Sequence, residues 1–197
     1  MSSPRPAHPG APAHASDAPT GRVIVMTGPP GAGKSTIARR VADRLSLSVH
    51  LHADDFWHFI RQGVIAPYLP EAHHQNTIVI NVVAHTAFGY AAGGYDVICD
   101  GIIGPWFLDA FRAISTTSGI ELHYLVLRPD EATTLRRATS RTATDALTDP
   151  EPIRSLHHQF SSLDTLEPHV LDSSRMDPAA TAEAALHGIT NGRYQLS

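Results

Sequence analysis

The chain has 197 residues, 42% of them hydrophobic, and its 15 lysines and arginines against 19 aspartates and glutamates give a formal net charge of −4. That length suits one domain with room for a tail, and the apolar fraction is enough for a buried core. A single cysteine, Cys99, excludes a disulfide scaffold or thiolate cluster and points to a reducing cytoplasm, while the acidic balance disfavours non-specific binding to nucleic acid.

Residues 1–21 read as a disordered leader: five of the 15 prolines fall in the first 20 residues, among Ala, Ser, His and Gly. The leader lacks the apolar region of a secretory signal. No apolar stretch, Val23 to Met26 included, approaches the roughly 18 to 20 residues of a membrane span. From residue 22 to 197 short apolar runs alternate with helical periods, which predicts an α/β domain built as a three-layer sandwich around a parallel sheet. Strands are expected at Arg22 to Met26, Ser48 to Ala53, Tyr95 to Cys99, Ile120 to Leu127 and His169 to Leu171. Helices are expected at Lys34 to Leu45, Asp55 to Gln62, Gln75 to Ala92, Pro105 to Thr116, Asp130 to Thr142, Glu151 to Leu163 and Pro178 to Ile189. Asp130, Asp149 and Asp177 carry N-cap signals.

The most specific feature is Gly28-Pro29-Pro30-Gly31-Ala32-Gly33-Lys34-Ser35-Thr36, which fits G-x-x-x-x-G-K-[ST] at every fixed position. It joins the apolar strand Val23 to Met26 to a helix with apolar residues at 37, 38, 41 and 45, the context that the motif requires. Glycines let successive N–H groups turn inward toward phosphate oxygens, and the helix adds the positive end of its dipole. Lys34 is expected to reach the β- and γ-phosphates of a nucleoside triphosphate, and Ser35 to place its hydroxyl on Mg²⁺.

Ligands of such sheets bind at the carboxyl ends of the strands. The second strand ends in Asp54 and Asp55, about 20 residues beyond Lys34. Asp54 is expected to be the base that takes a proton from an attacking hydroxyl, with Asp55 as its helper; both residues also suit simple capping of the next helix. The third strand ends Val97-Ile98-Cys99-Asp100, and Asp100 is expected to meet Mg²⁺ through water or the acceptor. Arg128, Arg136, Arg137 and Arg141 follow the fourth strand. Arg136, Arg137 and Arg141 suit a lid over residues 136–150 that neutralises the transferring phosphoryl group, against the plainer reading of solvated surface charge.

Of 13 histidines, His50 and His52 share a strand face and His73 and His74 are adjacent. No H-E-x-x-H or helical i, i+4 ligand pair accompanies them, so a metal site is disfavoured, and His73 and His74 suit an acceptor pocket or the surface instead. Trp57, His58, Phe59, Arg61, Tyr68 and Trp106 suit either an acceptor wall or core.

Through the GPPGAGKST loop, the HADD strand end, the VICDG strand and the Arg136-Arg137-Arg141 segment, the chain resembles small P-loop kinases of the nucleoside and shikimate kinase fold. Among these it is similar to gluconate kinase-like and chloramphenicol phosphotransferase-like proteins, and to ATP-binding proteins of tunicamycin resistance. The resemblance spans roughly Arg22 to His187. It implies a five-stranded sheet of order 2-3-1-4-5, Asp54 as catalytic base, lid arginines on the phosphates and Asp172 to Arg175 near the adenine. It also implies ATP and Mg²⁺ as cofactors and a small-molecule acceptor. Where the gluconate kinase-like proteins carry L-D-G-D, this chain has Leu51-His52-Ala53-Asp54, a departure that argues against gluconate itself. The combined expectation is transfer of the γ-phosphoryl group of ATP to a small-molecule hydroxyl. An NTP-driven switch acting through a protein partner and a kinase of nucleic-acid ends are the alternatives.

Overall fold

The structure is a computed structural model and describes residues 20–140 and 147–196. Five strands form one parallel sheet in the order β2-β3-β1-β4-β5, as the resemblance implied. β1 (Val23–Thr27) is central and wholly buried. β3 (Asp96–Asp100) and β4 (Leu122–Leu127) flank it, with β2 (Ser48–His52) and the two-residue β5 (Val170–Leu171) at the edges.

Burial on both faces explains why β1 and β4 read as near-continuous apolar runs, with Thr27 and His123 the polar exceptions. Side chains alternate between two cores. Val23, Val25, Val97, Cys99, Leu122, Tyr124 and Val126 pack with α3 (His73–Ala92) and α4 (Leu108–Ser118). Ile24, Met26, Ile98, Leu125 and Leu127 pack with α1 (Lys34–Ala42) and α7 (Pro178–Thr190). The three-layer expectation is met. α3 has no charged residue, and its outer face leaves Ile78, Val82 and Tyr90 about half exposed.

Element ends differ from expectation for local reasons. Ile120 does not begin β4: its carbonyl accepts from Ser115 Oγ and its amide donates to Ser118 Oγ, so it closes the end of α4 behind Gly119. Pro105 opens a 3₁₀ turn, Pro105–Phe107, before α4 starts. α2 is one turn, Asp55–His58, rather than running to Gln62. α3 starts two residues early because a 3₁₀ turn at Pro70–Ala72 feeds it. α1 ends at Ala42, three residues short of Leu45. α5 (Glu131–Thr139) and α6 (Pro150–Gln159) are each shorter than expected at the C-terminal end. Gly21, read as leader, already donates its amide to the Ala91 carbonyl at 2.9 Å. The three aspartate caps are formed, Asp130 accepting from Thr133, Asp149 from Glu151 and Asp177 from Ala180. Arg141 and most of the expected lid tip lie outside the described residues.

Candidate active site

β1 delivers the chain into the loop 28–33, and the loop is shaped by what surrounds it. Gly28 has φ +139°, and a Cβ there would stand 2.0 Å from the Leu127 carbonyl oxygen. Gly31 has φ +84°, and a Cβ would stand 2.4 Å from the Thr134 carbonyl oxygen of α5. Both positions therefore require glycine for conformation and for space. The Ala32 amide turns back onto the Pro29 carbonyl at 3.2 Å, and Gly33 leads directly into the N-terminus of α1. Curled backbone followed by a helix N-terminus is an arrangement in which main-chain amides can cradle an anion. Lys34, the only lysine in the chain, is buried and arches over the loop, with Nζ donating to the carbonyls of Gly28 at 3.0 Å and Pro29 at 3.1 Å.

Parallel pairing sets His52 opposite Asp100 at the strand ends, and the Ala53 amide donates to the Asp100 carbonyl at 2.8 Å. The Asp100 side chain is 1% exposed. Its Oδ2 accepts from Ser35 Oγ at 2.6 Å, and its Oδ1 lies 2.6 Å from His50 Nε2. Burial works to raise the Asp100 pKa. Hydrogen bonds from His50 and Ser35, with the nearby charge of His52 and His50, outweigh it and hold the carboxyl below its ordinary value. Ser35 and Asp100 thus offer a hydroxyl and an ionised carboxylate, hard oxygen donors of the kind Mg²⁺ takes along with water and phosphate oxygens.

Asp54 and Asp55 occupy the start of α2 and are exposed, their side chains 57% and 62% accessible. Neither supplies a side-chain N-cap bond, so the plain capping reading is not what the structure shows for them. His52 lies between them, with Nδ1 3.1 Å from Asp55 Oδ1 and Nε2 3.9 Å from Asp54 Oδ2. Burial would lower the His52 pKa, but the Asp55 hydrogen bond and the charges of Asp100, Asp54 and Asp55 raise it overall. Trp57 is half-buried and donates Nε1–H to Asn76 Oδ1 at 2.9 Å, fastening α2 to α3, while His58 is exposed.

The four arginines divide. Arg137 is half-buried and lines a cavity of about 380 Å³ beside the loop, together with Gly31, Ala32, Gly33, Thr36 and Ser173. Arg136 is exposed and reaches Thr133 Oγ1 at 3.3 Å. Arg128 is bidentate on Glu167, 2.9 Å at each contact, and also donates to the Phe160 carbonyl, so it fastens the end of β4 rather than joining the lid set. Arg141 lies outside the described residues.

Two participants escaped the sequence reading: the contact by which His50 reaches Asp100 from a neighbouring strand, and Thr27, whose Oγ1 accepts from the Ile103 amide at 2.9 Å and ties β1 to the loop after β3. Ser173, in the segment that the resemblance sets near the adenine, is buried on the cavity wall. Only the strand order and register bring His50 to Asp100; its alternation with His52 was the one available signal.

A family model described as AAA domain matches residues 23–163, from the first residue of β1 to just beyond α6. The chain belongs to the AAA domain family. Its P-loop sheet is also that of solved small-molecule kinases. A sugar kinase from Janibacter sp. superposes with a TM-score of 0.66 at 21% identity, over 86% of this chain and 95% of that one. A gluconokinase from Sinorhizobium meliloti gives 0.64 at 17%, over 88% and 94%. The Mycobacterium tuberculosis APS kinase, solved with AMPPNP and APS, gives 0.64 at 17%, over 87% and 99%. No curated protein matches this AAA domain chain by sequence. At such identities the likeness is one of fold, and the function rests on the site itself. No helix among the described residues is long and apolar enough to cross a membrane.

Proposed function

We propose that the protein is a kinase that transfers the γ-phosphoryl group of ATP to a hydroxyl of a small molecule. The observation that carries this reading is the 2.6 Å contact between Ser35 Oγ and Asp100 Oδ2 beneath the anion cradle, with Asp54 open at the adjoining strand end. The neighbours' recorded activities on sugars, gluconate and APS support the same chemistry.

In this reading the amides of residues 28–36 and the Lys34 ammonium bind the triphosphate, and Arg137 with Arg141 balances charge on the phosphoryl oxygens. Ser35 and Asp100 would hold Mg²⁺, which supplies neutralisation of phosphate charge when bound. Asp54 accepts the acceptor's hydroxyl proton as the new P–O bond forms and the bond to the β-phosphate oxygen breaks. Asp55, through His52, keeps that carboxylate beside an imidazole; in this reading His58, exposed on the same turn, contributes to the acceptor pocket, and Trp57 holds that turn against α3.

The test incubates the protein with γ-labelled ATP, Mg²⁺ and a panel of sugars, nucleosides, antibiotics and oligonucleotides. Label on a small molecule, absent with Lys34→Ala, is the expected result. Hydrolysis that needs no acceptor, or label on oligonucleotides alone, overturns it.

A further inference from the structure

Asp100 is a buried carboxylate whose two oxygens are each engaged, one by Ser35 from the loop and one by His50 from β2. An ionised carboxylate only accepts, so His50 Nε2 carries the proton and donates. At 2.6 Å the bond is in the short range of charge-assisted contacts. His50 does not lie opposite Asp100 in the sheet. It faces Ile98 in register, and its ring spans the two-residue diagonal to reach the carboxylate. The imidazole is 21% exposed, so it stands at the mouth of the site with its Nε2 edge turned inward.

We propose that His50 is a positioning residue for the nucleotide–metal cradle: by anchoring Oδ1 of Asp100 it fixes the rotamer that presents Oδ2 to Ser35. This rests on the kinase reading above and assigns to His50 a part that neither the loop motif nor Asp54 supplies. Without His50, Oδ1 is a buried acceptor with no donor, and the carboxylate turns to find one. The Ser35 contact is then one of several rotamers instead of the single one. Residues that orient a ligand from behind typically govern metal affinity about 10- to 100-fold.

The geometry also names the substitute. A glutamine amide nitrogen stands about as far from the backbone as an imidazole Nε2, whereas an asparagine falls short by about one bond.

The test measures binding of ADP by calorimetry, with Mg²⁺ and with EDTA, to the full chain and to His50→Ala, His50→Asn and His50→Gln. Thermal unfolding of each variant checks the fold. With Mg²⁺, the Ala and Asn variants are expected to bind about tenfold or more weakly. With EDTA, all four proteins bind alike, and Gln restores Mg²⁺-dependent affinity to within about threefold of the parent. If the Ala variant does not fold, Asn and Gln carry the comparison, since both keep a polar amide at the site. Equal losses with and without Mg²⁺, unchanged affinity in folded Ala or Asn variants, or failure of Gln to restore binding overturns the proposal and leaves the kinase reading intact. Absence of ADP binding to the parent chain overturns both.

Discussion

Gly28 and Leu127 meet backbone to backbone: the space where a Gly28 side chain would begin is taken by the Leu127 carbonyl oxygen, 2.0 Å from the ideal Cβ position. The end of β4 therefore dictates how the chain leaves β1. Gly28→Ala combines a left-handed backbone with a clash against main chain, and we expect a loss of about 2–4 kcal/mol in urea unfolding. Nucleotide affinity falls with it, because the cradle is the element displaced.

Lys34 and Asp54 separate binding from transfer. Lys34→Ala is expected to remove ATP turnover, with at least about a 100-fold loss of activity, because the ammonium is the point charge on the phosphates. Asp54→Asn should bind ATP within about threefold of the parent while transfer falls about 10²- to 10⁴-fold. Full transfer by Asp54→Asn would remove it as the base. Calorimetry and a single-turnover assay on the same preparations give both numbers.

The neighbouring arginines are expected to behave differently. Arg137 lines the cavity at the loop, and Arg136 points to solvent. Arg137→Ala should lower turnover about tenfold or more, with Arg136→Ala within about twofold of the parent. Steady-state kinetics of the pair decides it; equal effects would mean that both guanidiniums reach the nucleotide.

His123 makes stability depend on pH. Its ring is fully buried on β4, Nε2 is paired with Glu121 and Nδ1 has no hydrogen-bond partner among the described residues. Burial lowers its pKa from the ordinary 6.5 despite the Glu121 hydrogen bond, with the Glu121, Arg22 and Asp96 charges also acting on it. The folded state holds the neutral ring, so this contribution is complete above about pH 6.5 and shrinks as pH falls toward the depressed value, where the unfolded chain protonates first. His52, shifted up, contributes with the opposite sign. His123→Gln should therefore lose less Tm than the parent between pH 7.5 and 5.5. An equal drop in both proteins would rule out His123 as a source.

How much of this was legible in the sequence depends on the range of each signal. The strand–loop–helix setting of residues 28–36 and the aspartate caps at 130, 149 and 177 are local, because motif and partner lie within a few residues, and both formed as read. The start of β4 moved by two residues because neighbouring hydroxyls capture the backbone at Ile120, Ser115 Oγ donating to its carbonyl and Ser118 Oγ accepting from its amide. The contact of His50 with Asp100 spans 50 residues and exists because β2 pairs with β3, an order that no spacing along the chain encodes. Trp57 was weighed as acceptor wall or core; its bond to Asn76 reveals a third part, a pin between two helices. The parting of Arg137 from Arg136 follows from the helical phase of α5 once that helix docks on Gly31.

With one lysine in 197 residues, the only side-chain amine sits against the loop that follows β1, on the Gly28 and Pro29 carbonyls. Reductive methylation with ¹³C-formaldehyde would place a single lysine methyl resonance there. That resonance would report occupancy of the loop directly, with no mutation and no need to know the acceptor.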